Sequence, residues 1–214
     1  MVPRIAEQDG TRPRVEGERE EEILDAVVEM LMEAGYERLT MDAVARRARA
    51  SKATLYRRWA SKESLVVDAV IRSKQLHQQP VPDTGSLRGD LRAVFCGTGG
   101  IATQSSHTTH VIGTVLTALQ TDPEFAREFR TRFIAPKAHL TAEIYRRAAE
   151  RGELAADVDL SLLGPAFAGI LLHRRFVLGE EITPDLVDRV LDQIILPAAT
   201  GVPFGSHTAV QEKA

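Results

Sequence analysis

Apolar residues return three and four positions apart through most of the chain, which is the period of an amphipathic helix, and no run alternates regularly enough to predict a strand. From about Glu18 to Ala34 the face is Ile23, Leu24, Val27, Val28 and Leu31, with acids leading in where they suit the positive end of a helix. Gly35 fits the left-handed position that closes a helix, and Tyr36 is placed to fold back on its last turn. Thr40 can cap a short second helix, MDAVARRA, with Val44 facing inward. Ser51 can cap a third, KATLYRRW, and Ser61 a fourth that runs from Lys62 to about His77.

The stretch QQPVPDTGS interrupts this pattern with two prolines and a glycine. Beyond it, helices are predicted over about 86–103, 108–120, 123–151 with a break near Pro136, 159–178 and 184–196. Asp122-Pro123-Glu124 and Thr183-Pro184-Asp185 each supply a cap, a proline at the first helical position and then an acid. The expectation is an all-α protein of about nine helices. It divides into an arm at 1–17, a small helical unit at 18–64, a larger one at 65–200 and a tail at 201–214.

Charge sharpens this division. The chain has a formal charge of −3, yet the segment from Val44 to Lys62 holds seven lysines and arginines and no acid, so the remainder carries −10. Such a concentration asks for an anionic partner, although a solubilising face is the plainer alternative. The single Cys96 can form no internal disulfide, and its neighbours Phe95 and Gly97 supply no cation to make it a redox sensor. With no apolar run of signal-peptide or membrane-spanning length, a cytoplasmic protein without membrane contact is expected.

Two short helices around the tight turn Arg49-Ala50 have the proportions of a helix-turn-helix, whose second helix enters the major groove. On that helix Leu55 and Trp59 share one face, so they bury while the other face stays free. Lys52 and Arg57 can donate to guanine N7 and O6, and the methyls of Ala53 and Thr54 can meet thymine; these four are the candidate base readers. Thr40, Ser51 and Lys62 stand at helix starts that suit phosphate oxygens. Together with Tyr56, Arg58 and Arg46 or Arg47 they form the candidate phosphate set.

The string GYERLTMDAVARRARASKATLYRRWASKESL resembles the DNA-binding domain of the tetracycline-repressor (TetR) family of transcriptional regulators. The matching features are Gly35 and Tyr36, Thr40, Val44-Ala45, Ala48, Ser51, Thr54-Leu55-Tyr56, Trp59, Lys62-Glu63 and Leu65. One departure stands out. Arg49 and Ala50 occupy turn positions where the family usually has glycine and a bulky aliphatic residue. A non-glycine residue there costs on the order of 1 kcal/mol, so the turn is expected to survive slightly strained or re-angled.

The phrase AAERGELAADVDLSLLGPAFAGILLHRRFVLGEEIT resembles the C-terminal half of one branch of the family, which extends the likeness over roughly residues 18–197. The resemblance implies a helical ligand-binding domain that dimerises through its last two long helices, a palindromic double-stranded DNA operator and a small-molecule effector. Leu163, Phe167, Ile170, Leu171, Leu191, Ile194 and Ile195 are the candidate interface residues, although the same stripes also suit a core. Phe95, His110, Thr114, Phe129, Phe133, His139 and Tyr145 are candidates for an apolar pocket with a few polar groups. His107 and His110 with His139 lack a completing carboxylate or cysteine, so neither a metal nor a cofactor is expected.

The resulting expectation is a ligand-responsive repressor acting as a homodimer. Its rivals are a non-specific DNA-coating or adaptor protein without an effector, and an enzyme on a helical bundle. The enzyme lacks a nucleophile motif, a phosphate loop or a metal spacing, and leaves the basic segment unexplained.

Overall fold

Nine helical rods account for the architecture of the described residues, and capping side chains mark most of their starts. The computed structural model of the protein describes residues 16–73, 80–97, 100–103 and 106–201. The arm before residue 16, most of the tail, the end of the fourth helix and the histidine at position 77 therefore lie outside the described residues, as does the side chain of His107.

The first four helices are α1 (Glu16–Ala34), α2 (Met41–Arg47), α3 (Lys52–Arg58) and α4 (Lys62–Ser73). Gly35 closes α1 at φ 76°, and Thr40 and Ser51 accept hydrogen bonds from the amides of Ala43 (3.2 Å) and Thr54 (3.0 Å), as the sequence led one to expect. The segment predicted as one helix over 86–103 is instead α5 (Leu87–Cys96), a break at Gly97 and a short 3-10 turn at Ile101–Thr103. Then follow α6 (Ser106–Thr121), α7 (Pro123–Phe129), α8 (Ala135–Glu150), α9 (Leu160–Leu172), α10 (Pro184–Val190) and α11 (Leu196–Thr200).

The break expected near Pro136 does not occur. A π-helical turn over Arg130–Ile134 joins α7 to α8 as one rod, and another over Leu191–Ile195 joins α10 to α11 ahead of Pro197. Proline lacks the N–H that would bond four residues back, and its ring crowds that carbonyl; the wider π turn just before it lets the helical hydrogen bonding continue past both faults. A third π turn, His173–Val177, extends α9 to the end predicted for it.

Two apolar cores result. The first joins α1–α4 to Val111, Val115 and Ala118 of α6 and to Phe125, Phe129 and Phe133, so it crosses the boundary placed at residue 64. The second lies among α5, α8, α9, α10 and α11, around Ile144, Tyr145, Phe167, Leu171 and Leu191. Arg88 and Arg92 tie α5 to Asp188 and Asp192 of the α10–α11 rod. Buried Asp90 is satisfied by Thr84, whose amide and hydroxyl donate at 2.6 and 2.8 Å, and by Arg151 at the end of α8. No helix among the described residues is long and apolar enough to cross a membrane.

Candidate nucleic-acid interface

The third helix is fixed from its inner side. Leu55 is fully buried, and Trp59 is nearly so, with its indole N–H donating to Asp68 Oδ2 at 2.8 Å. Asp68 in turn accepts from Arg132 of the π turn, so α3 is anchored through α4 to the α7–α8 rod. A buried indole N–H needs an acceptor, and here one carboxylate serves both neighbours.

On the outer side Lys52, Ala53, Tyr56, Arg57 and Arg58 are exposed and Thr54 is half-buried. Lys52 Nζ lies 2.7 Å from Asp42 Oδ2, but both side chains are more than half exposed, and such a pair is worth about 0–1 kcal/mol. The Thr54 hydroxyl meets that of Ser51 at 2.8 Å within the cap. Exposed Arg46 and Arg57 form no ion pair among the described residues. With Arg49, which is exposed and likewise forms no ion pair among the described residues, they are the guanidinium groups of the basic segment most open to a new anion.

Arg47, Arg58 and Lys62 of the same segment are engaged. Arg58 pairs with Glu20 at 3.0–3.1 Å, and Arg47 bridges Glu29 and Glu33 at 2.6–3.0 Å. The ammonium of Lys62 sits 3.8 Å above the Tyr36 ring, a cation–π contact. Of the candidate phosphate set, Thr40, Ser51, Arg46 and Tyr56 are therefore presented openly, whereas Arg58 and Lys62 are held by intramolecular partners.

Tyr36 joins this unit to the rest of the chain. Its hydroxyl donates to Asp122 Oδ2 at 2.6 Å, while Asp122 Oδ1 accepts from the amide of Phe125 as the cap of α7. Burial first, and then the hydrogen bond to Asp122, push the phenol well above its usual range. The amide of Phe125, helped by the Tyr36 hydroxyl, holds the Asp122 carboxyl below its usual value. The Tyr36 ring also opens a column through Phe125, Phe129 and Phe133, with successive centroids 4.7, 5.6 and 4.5 Å apart. Lys137 Nζ closes the column 4.1 Å above Phe133, and burial brings that ammonium down to about 8.

The seven residues expected to line one pocket are not brought together. Phe129 and Phe133 belong to the first core; Phe95 and Tyr145 belong to the second, where Phe95 packs 4.0 Å from Phe167. His110 and His139 are exposed, and the Thr114 hydroxyl donates to the carbonyl of Val111 in its own helix at 2.8 Å. Aromatic content marked core packing there and not a shared cavity. Cys96 is half-buried, and burial lifts its thiol despite nearby Arg92.

The expected interface set needs a similar correction. Leu163, Phe167, Leu171, Leu191 and Ile195 are buried inside the second core, and a partner cannot reach them. Ile170 is half-buried, and Ile194 remains 46% exposed. The other large apolar residues left on the surface of the same elements are Leu160, Leu162, Phe176, Val177 and Leu178. A stripe wide enough for two contacts was legible, but which edge faced inward depended on the packing of α5 and α8.

The sequence reading missed Asp68, Asp122 and Arg132 as connectors. Burial of Trp59 and Tyr36 was itself the available signal, because each carries a polar atom that must find a partner.

Residues 23–69 match the family described as "Bacterial regulatory proteins, tetR family", and residues 81–194 match "Tetracyclin repressor-like, C-terminal domain". The HTH-type transcriptional regulator Rv1556 of Mycobacterium tuberculosis is 36% identical over 202 residues, covering 93% of this chain and 96% of that protein. The DNA-binding transcriptional repressor TetR of Mycobacteroides abscessus is 31% identical over 174 residues, covering 81% and 90%. The crystal structure of the TetR family transcription regulator SCO0332 superposes with a TM-score of 0.61 at 31% identity, covering 83% of this chain and 97% of that one.

Proposed function

The chain belongs to the TetR family of bacterial regulators, and from that membership we propose that it is a DNA-binding transcriptional repressor, released from a palindromic operator when a small molecule binds. The observation that carries the reading is α3 itself, pinned on its inner face by Leu55 and Trp59 while Lys52, Ala53 and Arg57 stay exposed on its outer face. The helix N-terminal residues Lys52 and Ala53, with Thr54 and Arg57, meet base edges; Thr40, Ser51, Arg46 and Tyr56 meet the phosphates on either side. Lys62 joins the phosphate set by exchanging the Tyr36 ring for the duplex, whereas Arg58 stays on Glu20 and leaves that set.

A homodimer supplies the second reader that a palindrome requires. Its contact surface is built from Leu162, Ile170, Phe176, Val177 and Ile194 on α9 and the α10–α11 rod, with Ala168 and Gly169 permitting close approach. The effector acts by preferring the arrangement in which the two reading helices are wrongly spaced. Two polar links lead from the larger helical unit to the reader and are the means of transmission: Asp122 to Tyr36, and Arg132 through Asp68 to Trp59.

Selection of duplexes from fragments of the source genome tests the assignment. A single enriched inverted repeat, bound with a large preference over random sequence at physiological salt, is the expected result. Uniform binding of all sequences, lost evenly as salt rises, supports the coating protein instead.

A further inference from the structure

We propose that Arg19, a residue of the first helix that touches no outer surface of the reader, is a positioning residue for DNA recognition: its guanidinium clamps the turn that aims α3. The inference rests on the DNA-reading assignment above and adds a residue to it.

The turn begins at the end of α2. The amide of Ala50 donates to the carbonyl of Ala45 at 2.9 Å and that of Arg49 to Arg46 at 3.2 Å, with Arg49 at φ 50°. This is the left-handed helix closure that glycine normally occupies, formed here by a residue with a Cβ. The closure satisfies carbonyls inside α2, but it leaves those of Ala48 and Arg49 without an amide donor.

Arg19 supplies the donor. Its Nη2 reaches the carbonyl of Ala48 at 2.8 Å and that of Arg49 at 2.6 Å, while Nη1 is held at 2.6 Å by Glu22 on the next turn of α1. One planar group thus joins both carbonyls of the turn to a helix that belongs to neither side of it, and charge-assisted bonds of this kind are the stronger ones. The next residue, Glu20, takes the guanidinium of Arg58. Successive side chains of α1 therefore hold α3 at both ends, Arg19 through the turn before it and Glu20 through its last residue. A turn without glycine tolerates its conformation because Arg19 over-determines it.

Binding of the full-length protein to the duplex it enriches from a random-sequence library tests the clamp. Arg19→Ala is expected to weaken that binding on the order of tenfold and to blur base preference. The dependence of affinity on salt should stay unchanged, because Arg19 holds carbonyls and not phosphates. Arg19→Lys should recover part of the loss. Arg49→Gly also removes an exposed cation beside the reader, so its rescue of Arg19→Ala is judged on base preference, which phosphate contacts do not carry: glycine keeps the turn without help, and the blurred preference should sharpen again.

Wild-type affinity in Arg19→Ala overturns the proposal. So does a salt slope reduced by about one, which makes Arg19 a phosphate contact. So does failure of Arg49→Gly to rescue base preference. The same double-mutant cycle read by thermal unfolding needs no DNA: coupling there, with a wild-type protein that enriches no duplex, sinks the reader assignment and spares the clamp.

Discussion

The hydroxyl of Tyr36 reaches Asp122 at 2.6 Å across 86 positions of sequence, and so joins the loop after α1 to the start of α7. Tyr36→Phe keeps the ring and its packing on Phe125 while removing the donor. Loss of about 1–2 kcal/mol in denaturant unfolding is expected, because a bond to a carboxylate is lost but no apolar volume is. If α7 signals to the reader through this bond, the variant should also bind the operator with a reduced response to effector. Unchanged stability and unchanged response together would remove the bond from the coupling.

Asp122 makes this link sensitive to acid. Its folded-state value lies below the ordinary 3.8, so its contribution is complete above that pH and disappears as pH falls through the depressed value. Asp122→Asn should flatten the stability profile of the protein below about pH 4. Parallel acid-unfolding curves for wild type and variant would count against the assignment.

The candidate base readers and phosphate contacts should separate in mutational profiles. Lys52→Ala or Arg57→Ala is expected to relax discrimination by about 1–3 kcal/mol at one defined base pair. Arg46→Ala should weaken all sequences alike and lower the salt slope by about one. Indistinguishable profiles for the three variants would overturn the sorting.

On α9 the residue proposed for the interface and a core residue lie one position apart and should behave oppositely. Leu162 is 64% exposed and Leu163 only 6%. Leu162→Arg is expected to leave a folded chain that sediments as a monomer, whereas Leu163→Ala should cost about 2–5 kcal/mol of stability. A dimer unaffected by Leu162→Arg, Ile194→Asp and Val177→Asp together would place the partner elsewhere.

Lys137 gives a test with the opposite sign in pH. Its folded value of about 8 lies below the ordinary 10.5, so the unfolded chain binds more protons between the two and wild-type stability rises across that window. Lys137→Met should be more stable than wild type at neutral pH, with the difference shrinking toward the upper limit. Equal stabilities at pH 7 would show the ammonium to be well solvated.

What could be read in advance followed the reach of each signal. Caps and periodicity are local, and they placed Thr40, Ser51, Asp122 and Thr183 at helix starts, where each accepts the expected amide. The outward face of α3 was equally legible because Leu55 and Trp59 leave it little choice of orientation. Pro136 misled, since it falls in the first turn of α8 directly after the π turn, where the missing amide interrupts no α-helical bond. The scattering of the pocket set and the burial of five of the seven interface candidates share a reason: Phe129, Tyr145 and Leu163 are apolar at helical spacing whether they face a cavity, a partner or their own core. Only the packing of distant helices decides which.

The carboxylates of α1 have one further effect. Glu20, Glu29 and Glu33 hold Arg58 and Arg47, and Glu21 and Asp25 hold Arg72, while Arg46 and Arg57 meet no acid among the described residues. The small unit is consequently polarised like a compass needle, with one flank repelled by a polyanion and the other drawn to it. Collisions that arrive the wrong way round are turned before contact, and a protein of net negative charge can still find duplex quickly.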